Sequence, residues 1–499
     1  MDKLAHLKEI VSEIEALNEV TGLLSWDQQV VMPRGAAEGR GYQSGTLSAM
    51  AHRLFTSDEM GHLLEDLRPL AVQMDPDADD ARLIRLVDRE FQKRTRVPAS
   101  YVAEFSQVTA VAQPVWEQAR AKSDFALFRP HLERVVELRR QYASFFAPYA
   151  HVYDPLLDDF EPGLKTAEVQ QIFNTLRAQQ VELIRAITAA RPVRNDFLLL
   201  EYPEQTQWDF GVDVITCFGY DWNHGRLDRS VHPFTQGAGM DDVRITTRFE
   251  TNRVASAMFG TMHECGHALY DLGIDPAYKR SIMGGATSLA VHESQSRLWE
   301  NLVGRSREFW TGYYPHFQSL FPEQVGNVDL DTFYKGINKV EPSLIRVEAD
   351  EATYNLHIML RLELEIALMD GTLAVKDLPQ AWNELFKEYL GLTPPNDALG
   401  VLQDVHWSGG MIGYFPTYAL GNLISVQLWE KILQEHPDLP DQLSKGEFST
   451  LLQWLRQKVH RHGAKYESQE LVLRATGSKI DPQPYLRYLR NKYSKIYGL

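Results

Sequence analysis

The chain has little cysteine. Its 499 residues contain only Cys217 and Cys265, too few for a disulfide scaffold, and this usage suits a reducing compartment, so a cytoplasmic location is expected. It also lacks an excess of positive charge. With 51 Lys and Arg against 67 Asp and Glu, the formal net charge is −16, which argues against nucleic acid as a partner and reads as solubility. No apolar run approaches a membrane span. Residues 1–9 mix charges where a secretory signal would be apolar, so neither membrane nor export is expected. A Pro/Gly/Ser-rich linker is missing too. Length alone suggests about three domains, but without a linker residues 1–499 read as a single unit of ordinary globular composition, 44% hydrophobic and 24% charged.

What the chain does have is helical periodicity. Leu4, Leu7, Ile10, Val11, Ile14, Leu17, Val20 and Leu24 predict an amphipathic helix that ends before residues 26–33 and the Pro33-Arg34-Gly35 turn. Further helices are expected to about residue 190, divided at Pro114, Pro130, Pro148 and Glu161-Pro162-Gly163, with an acidic turn at 74–80 and Thr166 as caps. Residues 198–249 differ in texture. There 212–218 and 242–249 alternate among glycines, predicting a small β-sheet that could pair with a peptide by main-chain hydrogen bonds and place His232 and Arg244 near a cleft. Helices then resume, one of them carrying Asp350 and Glu351 to about residue 369. Residues 403–422, with Gly409, Gly410, Gly413 and several aromatics, read as an active-site loop in which His406 and Tyr414 are placed to hydrogen-bond a developing oxyanion. Tyr418 reads as part of a packed aromatic turn. From Leu423 amphipathic helices lead to a basic segment, 487–495, read as a solvated face.

The chemistry concentrates in His263-Glu264-Cys265-Gly266-His267, set in a Pro-free apolar stretch. Histidines four apart rise from one helix face and can close on a single ion. Glu264 is turned roughly 100° away, placed to face a metal-bound water as a general base. Cys265 points elsewhere and is expected to pack. A third ligand is needed. The HExxHxxGxxH arrangement is excluded, because Tyr270 and Gly273 occupy the positions of its Gly and His. Glu293, 26 residues beyond His267, would complete a His2Glu set with a fourth position open to water, the pattern of a catalytic site. His292 and Glu300 are weaker candidates. Ligand type points to Zn2+, one per chain, with Co2+ or Mn2+ as possible substitutes.

This helix and the stretch 292–301 are joined by four further blocks: His232-Pro233-Phe234, 242–246, 345–350 and 400–407. Together they resemble the carboxypeptidase Taq family of zinc metallocarboxypeptidases over essentially the whole chain. The resemblance implies a mainly α fold, with a small β-sheet beside the metal helix and two helical lobes about a deep central cleft, as in neurolysin and angiotensin-converting enzyme. It also implies a homodimer that releases single C-terminal residues from peptides with broad specificity. In that setting Arg346 or Arg244 would grip the free C-terminal carboxylate, with His232 also on the substrate side; Arg suits this planar anion better than Lys. The plain alternative for Arg346 is an ion pair with Glu348, Asp350 or another acid. Two rivals are a neurolysin-type oligopeptidase with the same zinc chemistry and a helical binding protein that keeps the ion without catalysis. Glu264 argues against the second, since a structural site gains nothing from a poised base.

Overall fold

Apolar spacing near the helical period dominates the chain, and the computed structural model, which describes residues 2–499, is accordingly built mainly of helices. The first helix, Lys3–Val30, runs straight through Trp26, past its expected end. Its Leu7, Val11 and Ile14 pack with Phe55, Met60, Leu64, Tyr278 and Met283 into a small apolar core separate from the large central one. Pro114 and Pro130 lie inside the helices Ala99–Lys122 and Phe125–Ser144 and divide nothing; burial of one helix face outweighs the lost backbone bond. Thr166 is not a cap either. It begins the helix Thr166–Ala189, and its N–H and hydroxyl both donate to buried Asp154.

The strand expected at 212–218 is the end of a helix, Glu204–Phe218. Phe210, Val214 and Phe218 are buried at intervals of four, a spacing that fits both the helical and the alternating period. The 242–249 expectation holds. Strands β1 (Leu227–Arg229), β2 (Thr235–Gly237) and β3 (Val243–Thr247) form one sheet in the order β1-β3-β2. Central β3 runs parallel to β1 and antiparallel to β2, with Ile245 opposite both Leu227 and Thr235. Asp350 and Glu351 precede their helix, which spans Tyr354–Asp370. Asp350 instead accepts the N–H groups of Glu341, Ala352 and Thr353. The C-terminal helix Gln483–Tyr497 is only partly a solvated face: Lys492 is buried, 2.7 Å from Glu351, which also accepts the Tyr488 and Tyr493 hydroxyls. Among the described residues no helix is long and apolar enough to cross a membrane.

Three helices meet at the centre. The metal helix Val254–Asp271 leans on β3 and crosses the glutamate helix Leu289–Arg297, which is flanked on another side by Pro416–Glu435. Both crossings are closer than a side chain permits. A Cβ on Gly266 would lie 2.6 Å from the Gln295 carbonyl oxygen, and one on Gly421 would lie 2.7 Å from Glu293 Cγ. These glycines let the backbones approach and set Glu293 against the two histidines. The glutamate helix then passes into a π-helical turn, Leu298–Val303, a widening common at functional sites, which carries Glu300.

Candidate active site

His263, His267 and Glu293 present ligand atoms that all lie within 4.8 Å of one another. Glu293 Oε2 is 3.6 Å from His263 Nε2 and 3.4 Å from His267 Nε2. Ligands on a tetrahedral zinc with bonds of about 2.0–2.1 Å sit about 3.3 Å apart, close to both Glu293–histidine separations, so the donor set fits a divalent ion. Burial lowers His267 to about 3 and so keeps it neutral, the form that offers a lone pair. Burial opposes charge on Glu293, but Arg297 and His263 outweigh it and hold the carboxyl well below its usual range.

The neighbours of these groups fix their directions. His263 Nδ1 is 2.9 Å from Glu300 Oε2, which orients the ring so that Nε2 faces the triad. Arg297 spans both acids, with Nε 2.6 Å from Glu293 and Nη1 3.1 Å from Glu300. Despite burial, Arg297 and the His263 contact hold Glu300 at about 2. His292 stacks on His267 at 4.4 Å and turns its Nε2 to Asp271. Of the weaker ligand candidates, then, Glu300 faces the far nitrogen of a ligand histidine and His292 packs against the other.

Glu264 is buried and projects toward the sheet, where the Thr235 hydroxyl on β2 lies 2.7 Å from its Oε2. Burial is the main force that raises its pKa, partly countered by His263 and Thr235. Cys265 packs in the core with no polar partner. Arg244, on β3, forks onto Asp242 at 2.8 and 2.6 Å. His232 is exposed between β1 and β2, and its ring has no hydrogen-bond partner among the described residues.

Arg346 is held much more tightly. Its Nε and Nη2 donate to Asp404 Oδ1 at 3.0 and 2.8 Å, its Nη1 to the Tyr354 hydroxyl at 2.9 Å, and buried Arg361 takes the other Asp404 oxygen. The acid partner of Arg346 is therefore Asp404, not Glu348 or Asp350. His406 lies beside this cluster; burial lowers it to about 4, so it is neutral at pH 7. Its Nε2 is 3.4 Å from the Tyr418 hydroxyl, and its ring is 5.4 Å from that of Tyr414. The loop is pinned from beneath by Glu365, which accepts the Trp407 indole N–H at 2.8 Å and the Gly413 N–H at 3.1 Å. The irregular stretch ends earlier than its composition suggests, since Tyr418 already lies in the helix Pro416–Glu435, its ring against Tyr354 and Tyr414.

The loop and the triad form one connected region. Arg297, bonded to Glu293, lies 4.6 Å over the Tyr354 ring, and Tyr354 bonds Arg346. Burial raises the pKa of both Tyr414 and Tyr418, and the charge on Glu293 reaches both. Sequence reasoning assigned nothing to Thr235, Arg297, Tyr354, Asp404 or Glu365. Arg297 alone had a local signal, four residues after Glu293 and three before Glu300 on a helical stretch.

A helical body that buries such a donor set beside a carboxylate turned away from it is that of a metallopeptidase. The chain belongs to the carboxypeptidase Taq (M32) metallopeptidase family, whose model matches residues 6–493. It is 39% identical over 503 residues to thermostable carboxypeptidase 1 of Thermus thermophilus, covering 99% of this chain and 98% of the relative. To carboxypeptidase 1 of Bacillus subtilis it is 38% identical over 492 residues, 98% of each chain. The solved M32 carboxypeptidase of Deinococcus radiodurans R1 shares the fold at a TM-score of 0.97, with 40% identity over 100% of both chains. The protein is thus a metallocarboxypeptidase, a hydrolase that acts on peptides and uses a metal ion.

Proposed function

We propose that the protein is a zinc carboxypeptidase that removes single residues from the free C-terminus of peptides with broad specificity. The observation that carries this reading is the His263-His267-Glu293 donor set with Glu264 beside it and outside it. One Zn2+ per chain, replaceable by Co2+ or Mn2+, would supply a Lewis acid that polarises the scissile carbonyl and acidifies water. Glu264 takes a proton from the attacking water and returns it to the leaving amine. Burial raises its proton affinity above that of an ordinary carboxylate, which suits a base, and the Thr235 hydroxyl holds the carboxylate in place. Neutral His406 and Tyr414 donate hydrogen bonds to the oxyanion.

Arg244 and Arg346 are the two arginines for the substrate carboxylate, with His232 on the same side. Their settings differ. The Arg346 side chain is 6% exposed and engaged on all its edges, whereas that of Arg244 is 17% exposed with Nη1 uncommitted, which supports Arg244 as the group that meets the carboxylate. The wider reading includes two helical lobes about a deep cleft as in neurolysin and angiotensin-converting enzyme, a homodimer, and a cytoplasmic location; it rests on the family likeness and on two cysteines without a disulfide. Relatives named as carboxypeptidases disfavour the oligopeptidase alternative.

The test is mass spectrometry of one peptide offered with a free or an amidated C-terminus. Single-residue losses from the free form only, abolished by chelation and restored by zinc, are expected. Internal fragments from both forms would sink the proposal. Glu264→Gln should keep the metal and lose the activity, and activity surviving that change would refute the general base.

A further inference from the structure

Trp26 is a large aromatic side chain that is 4% exposed yet packs into neither of the two apolar cores. Its own helix does not account for this, since Val20, Leu23 and Val31 nearby are exposed. Two arginines lie over its ring. The Arg244 guanidinium lies 4.3 Å from its ring centre and that of Arg226 lies 5.0 Å away. These arginines are neighbours across the parallel pair β1-β3, where the Ile245 N–H bonds the Arg226 carbonyl, and each is forked onto an acid two residues along, Asp242 and Asp228. The first helix is also pressed against the sheet one turn earlier. A Cβ on Gly22 would lie 2.6 Å from the Gly237 carbonyl oxygen, so a side chain there would push Trp26 off the arginines.

An arginine already bound to an aspartate at its Nε edge has little freedom left once an aromatic face covers its plane. Only the remaining amino group can then move onto a ligand, and its direction is set by the ring beneath. We propose that Trp26 is a positioning residue for the substrate carboxylate: it lies under Arg244 and aims its open edge, so that the amino-terminal helix forms part of the substrate site. This rests on the reading of Arg244 as the carboxylate-binding arginine. Ground state and transition state share the carboxylate contact equally, so its loss appears in KM and spares kcat.

The experiment measures kcat and KM of zinc-loaded Trp26→Leu, Trp26→Phe, Arg244→Gln and the Trp26→Leu/Arg244→Gln double variant on a peptide with a free C-terminus, together with bound zinc and Tm. Trp26→Leu should raise KM roughly 5- to 30-fold, the range of a desolvated cation–π contact, with kcat and zinc content unchanged. Trp26→Phe, which keeps a smaller aromatic face, should recover most of the loss. The double variant should be no worse than Arg244→Gln alone, because the tryptophan acts only through that arginine. A KM that rises in Arg244→Gln but not in Trp26→Leu, or effects that multiply in the double variant, would overturn the positioning role and leave the arginine's role intact. If Arg244→Gln leaves KM unchanged, the carboxylate assignment falls and this inference with it. Should Trp26→Leu not fold, Trp26→Phe carries the test: a rise of roughly 2- to 3-fold that vanishes on an Arg244→Gln background supports the role, and one that persists there refutes it.

Discussion

The metal triad and the Asp404 cluster are two buried polar regions with opposite charge balance. Around the histidines, Glu293 and Glu300 face Arg297 and Arg305, while a third acid, Glu264, has no arginine bonded to it and meets only the Thr235 hydroxyl. Around Asp404 a single carboxylate answers both Arg346 and Arg361, leaving one cation in excess. Burial magnifies both surpluses, because no solvent screens them. One region is short of a cation and suits a divalent ion. The other holds one arginine more than its single carboxylate balances.

Four changes would break or sharpen this contrast. The largest effect is expected at the metal side: Glu264→Gln should cut kcat by about 10²- to 10⁴-fold with zinc content unchanged, as read by steady-state kinetics and elemental analysis. Next comes Asp404→Asn, which leaves two guanidiniums buried without their acid and should cost about 3–5 kcal/mol of stability, measured by denaturant unfolding. Arg361 and Arg346 outweigh burial and hold Asp404 far below the ordinary aspartate value of 3.8, so its stabilisation is fully present above about pH 4 and is lost as pH falls below that.

Glu365, under the same loop, has the opposite sign. Burial raises it from 4.5 to about 7, so the folded state holds a proton that the unfolded chain has released, and stability declines as pH rises from 4.5 to about 7. Glu365→Gln should abolish that decline, worth up to about 3 kcal/mol, in unfolding curves taken at several pH values. The smallest change is Glu300→Gln. It should weaken zinc binding by about 10- to 100-fold through the freed His263 ring, with KM for peptide nearly unaffected, as a competition titration with a chelator would show. An equal effect of Glu300→Gln on KM would mean that the two regions are not separable.

Much of the architecture was legible along the chain because it is local. Helix types follow from spacing, and β3 follows from alternation next to glycines. The failures are also specific. Residues 212–218 read as a strand because burial at every fourth position satisfies both periods, and Pro114 and Pro130 read as breaks because packing that tolerates them is invisible in sequence. Lys492 read as solvated because only the folded chain brings Glu351, from 141 residues earlier, against it.

The sequence by itself determined the pair of histidines and the turned-away glutamate, because an α-helix converts a spacing of four into one face over a single turn. Only the tertiary structure decided that Gly266 and Gly421 bring Glu293 within reach of both rings, that Arg346 faces Asp404, and that Trp26 lies under Arg244. Those contacts join segments far apart in the chain. Helical geometry is set by neighbours a few bonds away, whereas the direction of a buried charge is set by whichever distant segment the packed core presses against it.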